Sequence, residues 1–99
     1  MWYCIYAKDS PNSLENRQLK RPEHIKRLKL LQDMGRLLLA GPFPNVDSED
    51  PGPEGFSGSL IIAEFDTLIA AQKWANDDPF FHSGVYKEIE VKPFKKVLP

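Results

Sequence analysis

Two periodicities divide the chain. Trp2 to Ala7 is aromatic and β-branched and ends at the polar cluster Lys8-Asp9-Ser10-Pro11, which predicts a first strand. Residues 8–21 read as a polar connection with room for a helical turn around Leu14 to Leu19. A first helix is predicted from about Pro22 to Met34: Pro22 suits a first helical position, Glu23 the positive end and Gly35 a C-terminal stop. Leu37 to Ala40 is the second strand, ended by Gly41-Pro42. Pro42 to Ser57 holds four prolines, two glycines and four acids but no base. It is expected to be a long loop, either a functional lid or disordered. Ser59 to Phe65 is the third strand. Asp66 or Thr67 caps a second helix, which must stop near Asp78 because Pro79 disfavours helical geometry in the residue before it. Phe80 to Gly84 is a short connection. Val85 to Val91 is the fourth strand, ending before Pro93, and the tail carries a small basic patch at Lys92, Lys95 and Lys96.

The first helix contains the most informative residue. Plotted at about 100° per residue, His24, Leu28, Leu31 and Gly35 fall within a narrow arc, with Ile25 and Met34 at its edges. Lys26, Arg27, Lys29 and Asp33 take the outer face. His24 therefore heads the core-facing stripe. A buried imidazole needs hydrogen-bond partners and can exchange protons near neutral pH.

The order β-α-β-β-α-β is the ferredoxin-like pattern, of the α+β class: a four-stranded antiparallel sheet with two helices on one face. The first three strands do not alternate cleanly, and Trp2 to Tyr6, Leu37 to Leu39 and Leu60 to Ala63 read as buried on both sides. Two helices cover one face only. The open face is expected to pack against a second copy, giving a homodimer, unless the long loop or the tail covers it.

Composition narrows the class. The chain has 99 residues, one domain (1–99), with 41% hydrophobic residues and a net charge of −1. No charge bias points to nucleic acid or a membrane surface. The one cysteine, Cys4, excludes an intrachain disulfide and lies in strand one, where it reads as an inert core thiol. No signal peptide and no membrane span are legible, so the default expectation is a cytoplasmic protein.

Strand directions bring Arg21, His24, Gly41, Pro42 and Asp77-Asp78-Pro79-Phe80 to one edge of the sheet. Asp78 near a helix C-terminus faces the negative end of the dipole, an unfavourable contact of roughly 0.3–1 kcal/mol. A partner explains it: His24 or Arg21. An aspartate accepting from one imidazole nitrogen fixes the tautomer and leaves the other nitrogen free as a base. The helix start favours a neutral ring, the carboxylate a charged one. The alternatives are that Asp78 caps or turns the chain before Pro79 and that His24 bonds a backbone carbonyl in the core. Arg21 either holds an anionic group or pairs with Asp77. Ser48 and Ser59 lie near the long loop but in no nucleophile motif. His82 reads as a surface residue. Asp47, Glu49, Asp50 and Glu54 fit no calcium-loop spacing. Trp74, Tyr3 and Tyr6 read as packing.

Arg21-Pro22-Glu23-His24, Ala40-Gly41-Pro42, Gly58-Ser59, Trp74 to Phe80, Gly84-Val85-Tyr86 and Val91-Lys92-Pro93-Phe94, in this order and over nearly the whole chain, resemble the YCII-related family. The resemblance implies a dimeric α/β-barrel of ferredoxin-like protomers. It also implies a site built on a histidine and an aspartate, here His24 of R-x-x-H and Asp78 of D-P-F, with Arg21 as the motif arginine. Relatives include a dehydrochlorinase acting on a chlorinated hydroxyquinol; muconolactone isomerases and polyketide-modifying monooxygenases share the barrel type. The function expected is general acid/base chemistry without organic cofactor or metal: elimination, dehydrochlorination or isomerisation of a small, cyclic or aromatic compound. His24 and Asp78 are the catalytic candidates, and Arg21, Gly41, Pro42, Ser59 and Phe80 the substrate-binding ones. The competing readings are a ligand-binding or regulatory dimer without chemistry and a purely structural partner acting through its dimer face.

Overall fold

β1 spans Trp2–Asp9, α1 Leu14–Asp33, β2 Leu37–Pro44, β3 Phe56–Glu64, α2 Leu68–Asn76, α3 Pro79–His82 and β4 Tyr86–Phe94. The computed structural model describes every residue from Met1 to Pro99. The sheet order is β2-β3-β1-β4, with each pair antiparallel. This is the ferredoxin-like arrangement.

Alternation along β1 decides the two faces. Tyr3, Ile5 and Ala7 point toward the helices and pack with Ile61, Ala63, Leu28, Leu31, Ala71 and Ala75 in the core or beside it. Trp2, Cys4 and Tyr6 point the other way, opposite Phe94 and Glu64, Ile62 and Lys92, and Leu60 and Glu90. Cys4 is therefore not a core thiol. It is half-buried on the open face, where burial pushes its thiol up, with Lys92 opposing and Glu90 adding to the shift.

α1 begins eight residues earlier than its sequence signals imply, at Leu14 rather than Pro22. Pro22 is an interior residue and not the first helical position. A proline there forfeits one helical hydrogen bond and disfavours the preceding turn by about 3 kcal/mol in isolation. Tertiary contacts hold the turns before it. Arg17 is buried and bonded to Asp9, Gly58 and Ser59, and Asn16 donates to the Ser83 carbonyl at 2.7 Å. The predicted stripe is otherwise realised: His24, Leu28 and Leu31 are buried while Lys26, Lys29 and Asp33 are exposed. Gly35 ends the helix at φ +70, a conformation that glycine adopts without strain.

Both edge strands run through prolines that were expected to end them. β2 continues through Gly41-Pro42 to Pro44, and β4 passes Pro93. An edge strand has one side without a partner, so a residue lacking N–H costs no ladder bond there. The predicted loop 42–57 shrinks accordingly to residues 45–55, with a single 3-10 turn at Gly52–Glu54. It is pinned by Asn45, whose backbone N–H donates to the Gly55 carbonyl and whose side chain donates to the Glu54 carbonyl. It packs beside the first turns of α1, near Leu14, Gln18 and Arg21. Leu37 to Leu39, expected to be buried on both sides, are half-buried or exposed because β2 is an edge. No helix is long and apolar enough to cross a membrane.

Candidate active site

Asp78 and His24, distant in sequence, meet inside the molecule. His24 Nδ1 lies 2.9 Å from each Asp78 oxygen. The two residues are 5% and 1% exposed. Asp78 also accepts from the Phe80 backbone N–H at 2.9 Å and from Arg27 Nη1 at 2.9 Å. A carboxylate offers lone pairs only, so Nδ1 carries a hydrogen, and in the neutral ring the lone pair is left on Nε2. The ring is stacked on Phe80, centroids 4.0 Å apart at 12°, and Tyr86 meets it edge-on at 6.2 Å. Phe80 thus covers one face of the imidazole, and Tyr86 packs edge-on against both rings, 5.4 Å from Phe80.

Local sequence explains the position of Asp78. α2 stops at Asn76, Asp77 caps it, and Asp78 in extended geometry starts the single turn α3 as its N-cap. Asp78 thus sits at the donor end of α3. Asp78 still follows the C-cap of α2, and the alternative that it caps the chain before Pro79 holds: with Pro79 at the first position of the new turn, its side chain accepts from the Phe80 N–H. The residues read as a bare connection, Phe80 to Gly84, include most of that turn. His24, in turn, lies in the middle of α1, so no helix-start influence acts on its ring.

A cleft of about 140 Å³ opens beside this pair, lined by Arg17, Arg21, His24, Ile25, Leu28, Ala40, Gly41, Pro42, Ser59, Ile61 and Phe80. Arg21, Gly41, Pro42, Ser59 and Phe80, all expected near a ligand, come together there. Arg21 is exposed and makes no ion pair with Asp77. No residue of 45–55 lines the cleft. The loop is therefore not its lid, and Ser48 turns instead to the Asp50 carbonyl. His82 is exposed, as expected of a surface residue.

Two arginines escaped the sequence reading. Arg27, assigned there to the outer face, pairs with Asp78 and donates to the Trp74 carbonyl at 2.7 Å while its guanidinium lies 4.2 Å from the Trp74 ring centroid. It stands three residues after His24, a spacing that puts two helical residues on one side. Arg17 is 6% exposed and pairs with Asp9 at 2.9 Å. Its Nη2 donates to the Gly58 carbonyl at 3.1 Å and to Ser59 Oγ at 2.7 Å. It stands seven residues, two turns, before His24, on the same stripe. The signal was present but lay beyond the presumed helix start at Pro22. Gly58 also lets β3 lie close to β1, since a Cβ there would clash with the Ala7 carbonyl oxygen.

Tyr86 completes the neighbourhood. Burial pushes its phenol well above the usual tyrosine range, with Ser59 beside it opposing the shift. Its hydroxyl is buried and makes no well-formed hydrogen bond.

The YCII-related domain model matches residues 1–95. The protein YciI of Escherichia coli O6:H1 is 60% identical over 98 residues, covering 99% of this chain and all of that one. An uncharacterised protein of Haemophilus influenzae is 53% identical over the same extent. Among solved structures, the 5-chloro-2-hydroxyhydroquinone dehydrochlorinase TftG of Burkholderia phenoliruptrix, in complex with 2,5-dihydroxybenzoquinone, superposes with a TM-score of 0.83 at 25% identity, over 96% of this chain and 94% of that one. With its motifs, its sheet order and these relatives in agreement over almost its full length, the chain belongs to the YCII-related family.

Proposed function

We propose that the chain is a small-molecule enzyme in which His24 is the general base or acid and Asp78 orients it. The reaction is of elimination, dehydrochlorination or isomerisation type and needs no organic cofactor or metal. The observation that carries this reading is the buried His24–Asp78 pair, of which His24 lines a cleft. Arg27 already answers the carboxylate's charge, so the imidazole is not needed as its counter-ion and is free to take a proton at Nε2. A positioned base contributes typically about 10²–10⁴-fold.

The cleft sets the size of the ligand. Its volume of about 140 Å³ resembles the engineered cavity of about 150 Å³ that holds one benzene. A compound built on a single ring fits, with larger substituents projecting to solvent past Gly41 and Pro42. Arg21 at the rim suits an anionic substituent. The reaction of TftG on a small chlorinated ring compound favours the same class of substrate here.

The working unit in this proposal is a homodimer. Trp2, Cys4, Tyr6, Leu39, Phe43, Leu60, Ile62 and Phe94 share the open sheet face by register. Neither the β2–β3 connection nor the tail closes over it, and Tyr6 and Leu39 stay 38% and 46% exposed. Glu90 and Lys92 flank this face on β4, and the apolar patch across β2, β3 and β1 favours a second copy as its cover.

The test is a pair of substitutions. With a substrate found by screening small ring compounds for thermal stabilisation, His24→Ala is expected to keep the fold and lose turnover. His24→Gln keeps a hydrogen-bonding side chain without a base and is expected to lose turnover as well. Full activity in His24→Gln would leave the site a ligand-binding one without chemistry.

A further inference from the structure

The polar atoms around Ser59 do not balance, and the imbalance points into the cleft. Arg17 Nη2 donates to Ser59 Oγ, so the guanidinium supplies hydrogens and accepts none. The Tyr86 hydroxyl stands beside Ser59, buried and without a well-formed partner. Two hydroxyls bring two protons. In a contact between them only one of those protons can be accepted, whichever way the pair is oriented. No backbone carbonyl or carboxylate bonds the other. Buried donors are rarely left unpaired, because each costs the desolvation of the group. Of the two residues, Ser59 lines the cleft and Tyr86 does not.

We propose that Ser59 is the cleft's oxyanion donor and that the ligand is a single-ring carbonyl compound reacting through its enolate. Tyr86 and Arg17 are positioning residues: Arg17 occupies a lone pair of Oγ, and Tyr86 competes for a second, which leaves the Ser59 hydrogen for the ligand. The proposal rests on the reading of His24 as a base. His24 Nε2 takes a proton from carbon next to the carbonyl, so that a C–H bond breaks and an N–H bond forms. The electron pair moves onto the carbonyl oxygen, which becomes the anion that Ser59 O–H meets. His24 and Ser59 line the same cleft and supply opposite functions, an acceptor and a donor. A donor placed where negative charge develops is stronger in a site shielded from water than in bulk. Arg21 at the rim adds a positive charge to the same cleft.

The probe is 4-nitrophenol, a single ring with one ionisable oxygen, whose phenolate absorbs in the visible. Its methyl ether, 4-nitroanisole, has the same ring and cannot ionise. Ser59→Ala should weaken binding of 4-nitrophenolate by about 10–100-fold, the range for a hydrogen bond to a charged group, and leave 4-nitroanisole unchanged. Equal weakening of both probes would make Ser59 a wall of the cleft only and overturn the proposal, as would failure of the wild-type chain to bind the phenolate. A titration independent of Ser59→Ala folding uses His24→Ala, where no imidazole can take the phenol proton. There the bound probe should still ionise at lower pH than the free one, and an unshifted midpoint would overturn the proposal. If Ser59 fails these tests while His24→Ala abolishes turnover, the base survives and the oxyanion donor does not.

Discussion

Replacing Arg17 with Met tests whether this corner of the fold is held by a buried ion pair. The guanidinium and the Asp9 carboxylate are 8% and 2% exposed at the side chain, so the pair has little access to solvent. Removing the arginine strands the Asp9 carboxylate, which accepts two of its hydrogen bonds, and takes donors from the Gly58 carbonyl and Ser59 Oγ. It also removes contacts to Phe56 and Phe80, whose centroids lie 5.2 and 4.9 Å from the guanidinium carbon. Breaking a buried pair at one partner costs about 3–5 kcal/mol. An exposed pair is worth about 0–1 kcal/mol. For a domain of this size each kcal/mol moves Tm by about 4–8 °C, so the expected fall is roughly 12–40 °C. Circular dichroism melts at fixed pH and protein concentration measure it. The double variant Asp9→Asn with Arg17→Met should recover part of the loss, because the stranded charge is gone. A loss below about 1 kcal/mol for Arg17→Met, with no recovery in the double variant, would refute the reasoning and make the pair equivalent to a solvated one.

The other predictions concern the tyrosine and the open face. Tyr86 binds its proton more tightly folded than unfolded, so the unfolded chain loses that proton first as pH rises through about 10. Stability therefore falls above that pH, by up to about 1.4 kcal/mol per pH unit from this group, and is unaffected below it. Tyr86→Phe should flatten that alkaline limb in melts taken from pH 8 upward, without lowering stability at pH 7, since the hydroxyl has no well-formed partner to lose. Unchanged alkaline steepness in the variant would assign the limb to other groups. Leu60→Glu places a charge in the middle of the apolar sheet face, and sedimentation should read a dimer for the wild type and a monomer for the variant. A wild-type monomer at assay concentrations would remove the homodimer from the proposal.

How much was legible in the sequence differs by element. The four strands, the second helix and the core stripe of α1 follow from local periodicity, and they hold; of the two caps offered for that helix, Asp66 and Thr67, the structure takes Thr67. Strand direction brings residues 54 apart to one edge, which made His24 and Arg21 the candidate partners of Asp78; the structure pairs it with His24 and with Arg27 instead of Arg21. The boundaries failed where tertiary contact overrode a local signal. Pro22 is a strong start signal, yet α1 runs through it because Arg17 is bonded ahead of it. Pro42 and Pro93 are strong stop signals, yet both strands continue because each is an edge.

The sequence by itself determined the order of elements and the class of fold, and it made His24 and Asp78 candidates for one edge of the sheet, because these depend on period, spacing and chain direction. Only the tertiary structure decided what surrounds them: that Arg27 shares the Asp78 carboxylate, and that Arg17 and Tyr86 flank Ser59. Those contacts depend on which side of each element is buried and on how closely two backbones approach, as at Gly58 and Ala7. Neither quantity is a local property of the chain, since each is set by packing between residues far apart in sequence.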